Sequence, residues 1–173
     1  MQFITIDKQM PSAIVREELE TLKQRIIANM YAANAVATGK TIKSMHVEMK
    51  EGNTIEGILY GRKCFGALET GRKPTPKGTP PSKPTLHDCI VEWCAAKGIR
   101  GKTPQETMSI TWAISTAIHQ NGTRLFQRGG RADIYSNEIP RTIKSVKERL
   151  MFLISAQVVK TKNSLQLNNV TIK

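Results

Sequence analysis

Gly39-Lys40-Thr41 reads like the last three positions of a phosphate-binding loop, in which backbone amides and a lysine cradle a polyphosphate. The spacing argues against that chemistry. The first glycine of G-x-x-x-x-G-K-T falls on Asn34, and helical rather than strand periodicity precedes it. His87, Cys89 and Cys94 are the other cluster that could bind something, a metal ion. They lack a C-x-x-C or H-x-x-x-H pair, and both cysteines fall on the apolar stripe of a helix, where they read as small buried hydrophobes. His46 and His119 are isolated, and no Ser, Cys or carboxylate has the local signature of an activated nucleophile or general base. The expectation is a protein that is not an enzyme and uses no cofactor or metal.

The residues left with chemistry are cations. Twenty-six Lys and Arg face fourteen acids, a formal charge of +12, which points to a polyanionic partner or an acidic protein surface. Residues 1–60 carry seven of each sign, so the whole excess lies after residue 60. Two loops concentrate it. Gly71 to Pro84 (GRKPTPKGTPPSKP) holds five of the eight prolines with Arg72, Lys73, Lys77 and Lys83 and no acid, and reads as a stiff extended arm. Residues 122–136, with the core GTRLFQRGGRADIY, set Arg124, Arg128 and Arg131 around Gly129-Gly130. Loops this long in a compact domain usually have a task. For the arm, that task is contact with phosphate or a carboxylate-rich face, or only solvation. No aromatic ladder accompanies the cations, which disfavours single-strand stacking.

These loops hang on helices. Ser12 is the expected N-cap of a helix to about Thr38, with Val15, Leu19, Leu22, Ile26, Met30 and Ala33 at helical spacing and Gly39 as terminator. Thr41 to Met49, a turn at Glu51-Gly52-Asn53 and a return from Ile55 to Gly61 predict a β-hairpin with Met45, Val47 and Met49 on one face. Thr85 caps a helix whose stripe is Leu86, Cys89, Ile90, Trp93 and Cys94, ended by Gly98. Thr103-Pro104-Gln105-Glu106 opens another as a capping box, running to Asn121. Its Ile110, Ala113, Ile114, Ala117 and Ile118 form one apolar stripe, while Met108 and Trp112 lie on nearly the opposite side, either as core or as a contact for another subunit. A last helix spans about Asn137 to Ala156, with Ile139, Ile143, Val146, Leu150 and Leu153 spaced by fours and threes. Leu165 to Ile172 alternates weakly and is a candidate strand beside Phe3 to Ile6.

The fold class expected is α+β: a long N-terminal helix and three further helices packed on a small antiparallel hairpin, with extended loops. Residues 1–156 form the expected domain and 157–173 a C-terminal extension. Three cysteines make no disulfide framework and fit a reducing compartment. No run approaches the length of a membrane span, and Met1 to Met10 lacks the layout of a secretory signal, so a soluble, intracellularly made protein is expected.

Tyr60 and the stretch from Gly61 to Ile99 resemble the tail-completion, or neck, and minor tail proteins of tailed bacteriophages. Glu69, Gly71 and Pro74 match a Glu-x-Gly-x-x-Pro segment, Pro80-Pro81 a Pro-Pro loop, and Trp93 an inward tryptophan on a helix ending at Lys97-Gly98-Ile99. The likeness continues through Trp112-Ala113-Ile114 and Ile118 to Gly122-Thr123, and covers about residues 12–150. The proline arm is expanded, and the tail after Ala156 has no counterpart. The resemblance implies a virion protein, made in the bacterial host cytoplasm, that forms a homo-oligomeric ring of 6 or 12 copies at the head-tail junction around the DNA channel. Its implied neighbours are the portal, or connector, and tail proteins. In that setting Arg72, Lys73, Lys77 and Lys83 reach toward the neighbouring ring, Met108 and Trp112 meet a subunit, and Arg124, Arg128 and Arg131 face channel DNA or an acidic connector surface. Glu69 is the expected paired carboxylate, within the base of the arm or across the subunit boundary.

Overall fold

A computed structural model describes the backbone of residues 9–169 and the side chains of residues 10–163. Along the chain run α1 (Gln9–Ala32), α2 (Lys40–Lys43), β1 (His46–Glu51), β2 (Ile55–Tyr60), α3 (Ala67–Thr70), α4 (Leu86–Ala96), α5 (Pro104–Asn121), α6 (Arg124–Gln127) and α7 (Glu138–Asn169). The fold is α+β, with a long N-terminal helix and one two-stranded antiparallel sheet among the described residues. The described chain falls into two compact units. One takes the start of α1 to Arg25, His46–Tyr60, and α7; the other takes Ile26–Met45 and Gly61–Asn137.

In the first unit the hairpin pairs Val47 with Leu59 and Met49 with Gly57, and the chain turns where the Gly52 amide donates to the Thr54 carbonyl. An isolated hairpin of two strands is marginal in water, so one face must be covered. Here α1 covers it. A Cβ on Gly57 would stand 2.5 Å from Leu19 Cδ1 and 2.6 Å from Val15 Cγ1, so glycine is what lets the helix lie against β2. Helix α7 runs antiparallel to α1, because Arg25 meets Glu138 at 3.8 Å while Arg149 reaches back to Glu17 at 2.6 Å and Glu18 at 3.0 Å.

Several boundaries differ from the sequence expectation. Ser12 is not the N-cap: the backbone is already helical at Gln9, proline being tolerated in a first turn, and the buried Ser12 hydroxyl donates to the Glu51 carboxylate. The helix ends at Ala32 rather than near Thr38. Asn34 takes the left-handed position (φ 51°), its amide donating to the Tyr31 carbonyl and that of Ala35 to the Met30 carbonyl, which is a Schellman ending with asparagine in glycine's place. Gly39 (φ 69°) precedes a single helical turn instead, so Thr41 to Ser44 is not strand. Helix α7 runs unbroken through Ala156 to Asn169, so Leu165 to Asn169 is helix and not strand. The proposed strand partners Phe3 to Ile6, and residues 170–172, lie outside the described residues.

The second unit is built around α4 and α5. Thr85 accepts from the Asp88 amide and the Asp88 carboxylate accepts from the Thr85 amide, a complete capping box; the Thr85 hydroxyl, donating to the same carboxylate at 2.7 Å, and then the Thr85 amide hold the Asp88 pKa below its ordinary value. At α5 only half of the box forms. Thr103 accepts from the Glu106 amide, but the Glu106 carboxylate takes the Lys102 amide at 2.6 Å. The buried face of α5 is carried by Thr111 and Ser115; Ala113 and Ala117 are exposed, and Ile110, Ile114 and Ile118 are half-buried. Small hydroxyl residues can be buried there because each returns its hydrogen bond to its own helix, Thr111 to the Met108 carbonyl and Ser115 to the Trp112 carbonyl. Ile26, Met30, Met45, Ile90, Cys94 and Ile134 supply the buried apolar side chains of this unit.

Candidate interaction surfaces

The arm starts from two glycines in contact with backbone. Gly71 (φ 69°) has its Cβ direction 2.4 Å from the Phe126 nitrogen, and Gly122 (φ 75°) has its own 2.6 Å from the Arg72 carbonyl oxygen. Only glycine fits either place without strain. This close approach lets the Thr123 amide donate to the Arg72 carbonyl and the Arg72 amide to Thr123 Oγ1, each at 2.9 Å. The Thr75 amide donates to the His119 carbonyl one step further out, also at 2.9 Å. The first residues of the arm are therefore clipped to the end of α5 rather than free, while Arg72, Lys73, Lys77 and Lys83 all stay exposed.

Glu69 closes the other side of this region, within the second unit. It is 3% exposed, and its Oε1 accepts the amides of Ile134 (2.9 Å), Tyr135 (2.7 Å) and Ser136 (3.0 Å) while Oε2 accepts the Ser136 hydroxyl. Its carbonyl also accepts the Arg131 amide at 2.8 Å. Burial by itself pushes the carboxyl pKa up, but the hydrogen bonds from Ser136, Tyr135 and Ile134 outweigh it, and the net shift is downward. The carboxylate expected to pair with a cation at the arm's base or across a subunit boundary is thus spent inside the chain, on backbone amides.

Residues 122–136 hold more structure than a glycine-arginine loop. Thr123 caps α6, and Gly129 and Gly130 take positive φ after it. Arg124 and Arg128 are exposed, whereas Arg131 is forked onto Asp133, with Nη2 to Oδ2 at 2.6 Å. That pair holds the Asp133 pKa down. Two of the three arginines are thereby left exposed.

The apolar face lies on α5. Met108 is 61% and Trp112 54% exposed, and the His87 ring stacks on the indole at 3.9 Å between centroids and 15° between planes. His87 Nε2 lies 3.1 Å from Thr111 Oγ1. Val91, one turn along α4 from His87, is also exposed, so α4 and α5 together present His87, Val91, Met108 and Trp112. The sequence placed His87 only among candidate ligands. Its 24-residue separation from Thr111 is bridged only by the α4–α5 packing.

A cavity of about 230 Å³ in the same unit is lined by residues 35–42 with Arg62, Pro84, Cys89, Glu92 and Trp93. Lys40 is salt-bridged there to Glu92 at 2.5 Å. Trp93 is 39% exposed at its rim and not inward. Cys89 is exposed too, against the buried reading, and only Cys94 is buried, its thiol pKa raised by burial. Among the described residues no three of His, Cys, Asp and Glu converge as metal ligands. No described helix is long and apolar enough to cross a membrane. Compared with protein-family models, curated proteins and solved structures, the chain matches none.

Proposed function

We propose that this chain is a structural component of a tailed-bacteriophage virion, assembling with copies of itself, 6 or 12, as a ring at the head-tail junction and joining connector to tail. The observation that supports it is the exposed Met108 and Trp112 on α5, backed by the stacked His87. A monomer gains nothing from holding an indole rigidly in water, and tryptophan at a protein contact carries a large share of binding energy. Ring contacts are head-to-tail and so join two different surfaces of each copy. The α4–α5 face supplies one, and the clipped arm with its four exposed cations is placed to supply a reach beyond it.

Imaging of assembled particles tests the reading by locating the chain; absence from the joint between capsid and tail overturns it. Trp112→Glu tests the surface. The variant keeps its circular dichroism spectrum and loses assembly, and an unfolded variant returns Trp112 to the core. A second reading rests on the exposed Arg124, Arg128 and arm lysines: nucleic-acid binding with no assembly role. It requires that the isolated chain bind DNA with an affinity falling steeply as salt rises.

A further inference from the structure

Residues 150–159 of α7 read LMFLISAQVV. Met151 is 68%, Phe152 78%, Ile154 48%, Val158 48% and Val159 56% exposed, while Leu150 and Leu153 are half-buried. At 100° per residue, Met151 and Val158 share one flank and Phe152 and Val159 another, and the two leucines turn toward α1. Apolar side chains therefore surround the helix, a pattern that belongs to a buried helix. Unit one covers a single side. The five exposed side chains leave on the order of 500 Å² of apolar surface, at the upper end of what a monomer shows as one patch.

Charge defines the ends of this band. Lys144 and Lys147 precede it, Lys160 and Lys162 follow it, and no acid occurs from Arg149 to Asn163. Glu148 and Lys144 engage each other at 3.9 Å, and Arg149 engages Glu17 and Glu18, so the charge at the two ends is carried by Lys147 on one side and by Lys160 and Lys162 on the other. We propose that the band is a docking surface for a different protein, one presenting apolar helix faces edged with carboxylates at both ends. This rests on the assembly reading above and names the chemistry of the neighbour. A second copy of α7 fits poorly, because antiparallel pairing about the middle of the band sets Lys162 beside Lys147 and Lys160 beside Arg149, and parallel pairing sets each lysine beside its own counterpart. A lipid surface fits poorly as well. The band is about 15 Å long, half a bilayer core, and an interfacial helix needs the polar face that this stretch lacks.

The test uses the full chain and a fluorescein-labelled designed helix with a leucine seam flanked by glutamates. Controls are the same helix flanked by lysines, anionic phosphatidylglycerol vesicles, and sedimentation velocity of the chain alone. The glutamate helix is expected to bind about tenfold or more tightly than the lysine helix, and to weaken as salt is raised. Phe152→Ser with Val159→Ser abolishes that preference while Trp112→Glu leaves it intact. If the first pair unfolds, Met151→Ser with Val158→Ser on the other flank carries the test. Equal affinity for both helices, preference for vesicles, or self-association lost in the band variants overturns the proposal. A chain that shows the preference yet is absent from the joint overturns the assembly reading alone.

Discussion

Replacing Glu69 by Gln keeps the shape and removes only the charge from a carboxylate that accepts three amides and a hydroxyl in a site 3% exposed. Hydrogen bonds to a charged group contribute roughly 1.5–3 kcal/mol each and neutral ones roughly 0.5–1.5, so four bonds nominally lose about 4–6 kcal/mol. Glutamine escapes the desolvation cost of the carboxylate and keeps one carbonyl acceptor, which leaves a net loss of about 2 kcal/mol. For a chain of this size that lowers the thermal midpoint by roughly 4–8 °C. The pH dependence has a definite sign. The folded pKa lies below the ordinary value, so the stabilisation is complete above about pH 4.3 and is lost as pH falls through the folded pKa. The gap between the native chain and Glu69→Gln is therefore widest at pH 7 and narrows at pH 3. Tryptophan fluorescence reads it directly, since Trp93 and Trp112 share a unit with Glu69. A midpoint shift under about 1 °C at pH 7, or a gap that widens in acid, refutes the assignment of Glu69 as the tie that holds residues 134–136.

Gly122→Ala pushes a methyl against the Arg72 carbonyl at a positive φ and should cost more than about 1 kcal/mol, with faster hydrogen exchange at the Thr75 and Thr123 amides; unchanged exchange there removes the clip from the arm. Neutralising Arg72, Lys73 and Lys77 together to glutamine should move the thermal midpoint by no more than about 2 °C, because all three are exposed, while particle joining fails; normal joining reduces the arm to solvated surface. Arg149→Met strands Glu18, which is 7% exposed, and should destabilise the first unit by roughly 1–3 kcal/mol, read by urea denaturation; Glu18→Gln added to it should recover part of the loss.

Local sequence determined whatever short-range chemistry controls. Thr85 and Thr103 cap the helices predicted from them, Gly98 and Asn121 mark their ends, and the turn at Gly52 sets the hairpin, because a cap or turn is decided within a few residues. The exposure of Met108 and Trp112 was half legible: periodicity put them off the apolar stripe of α5, but only the packed structure shows that Thr111 and Ser115, not the alanines, turn inward. At Ser12, Gly39 and Leu165 the structure departs from the local pattern because the helix rules name permissible ends, and tertiary contacts choose among them. Ser12 went to Glu51, the left-handed ending fell to Asn34, and α7 continued. Three assignments belonged to tertiary structure alone: Glu69 to amides more than sixty residues away, Gly71 against Phe126, and His87 beneath Trp112. The physical reason is common to all three. A side chain's type states which bonds it can make, but the fold brings the partner within 3 Å, and no periodicity in the chain encodes that distance.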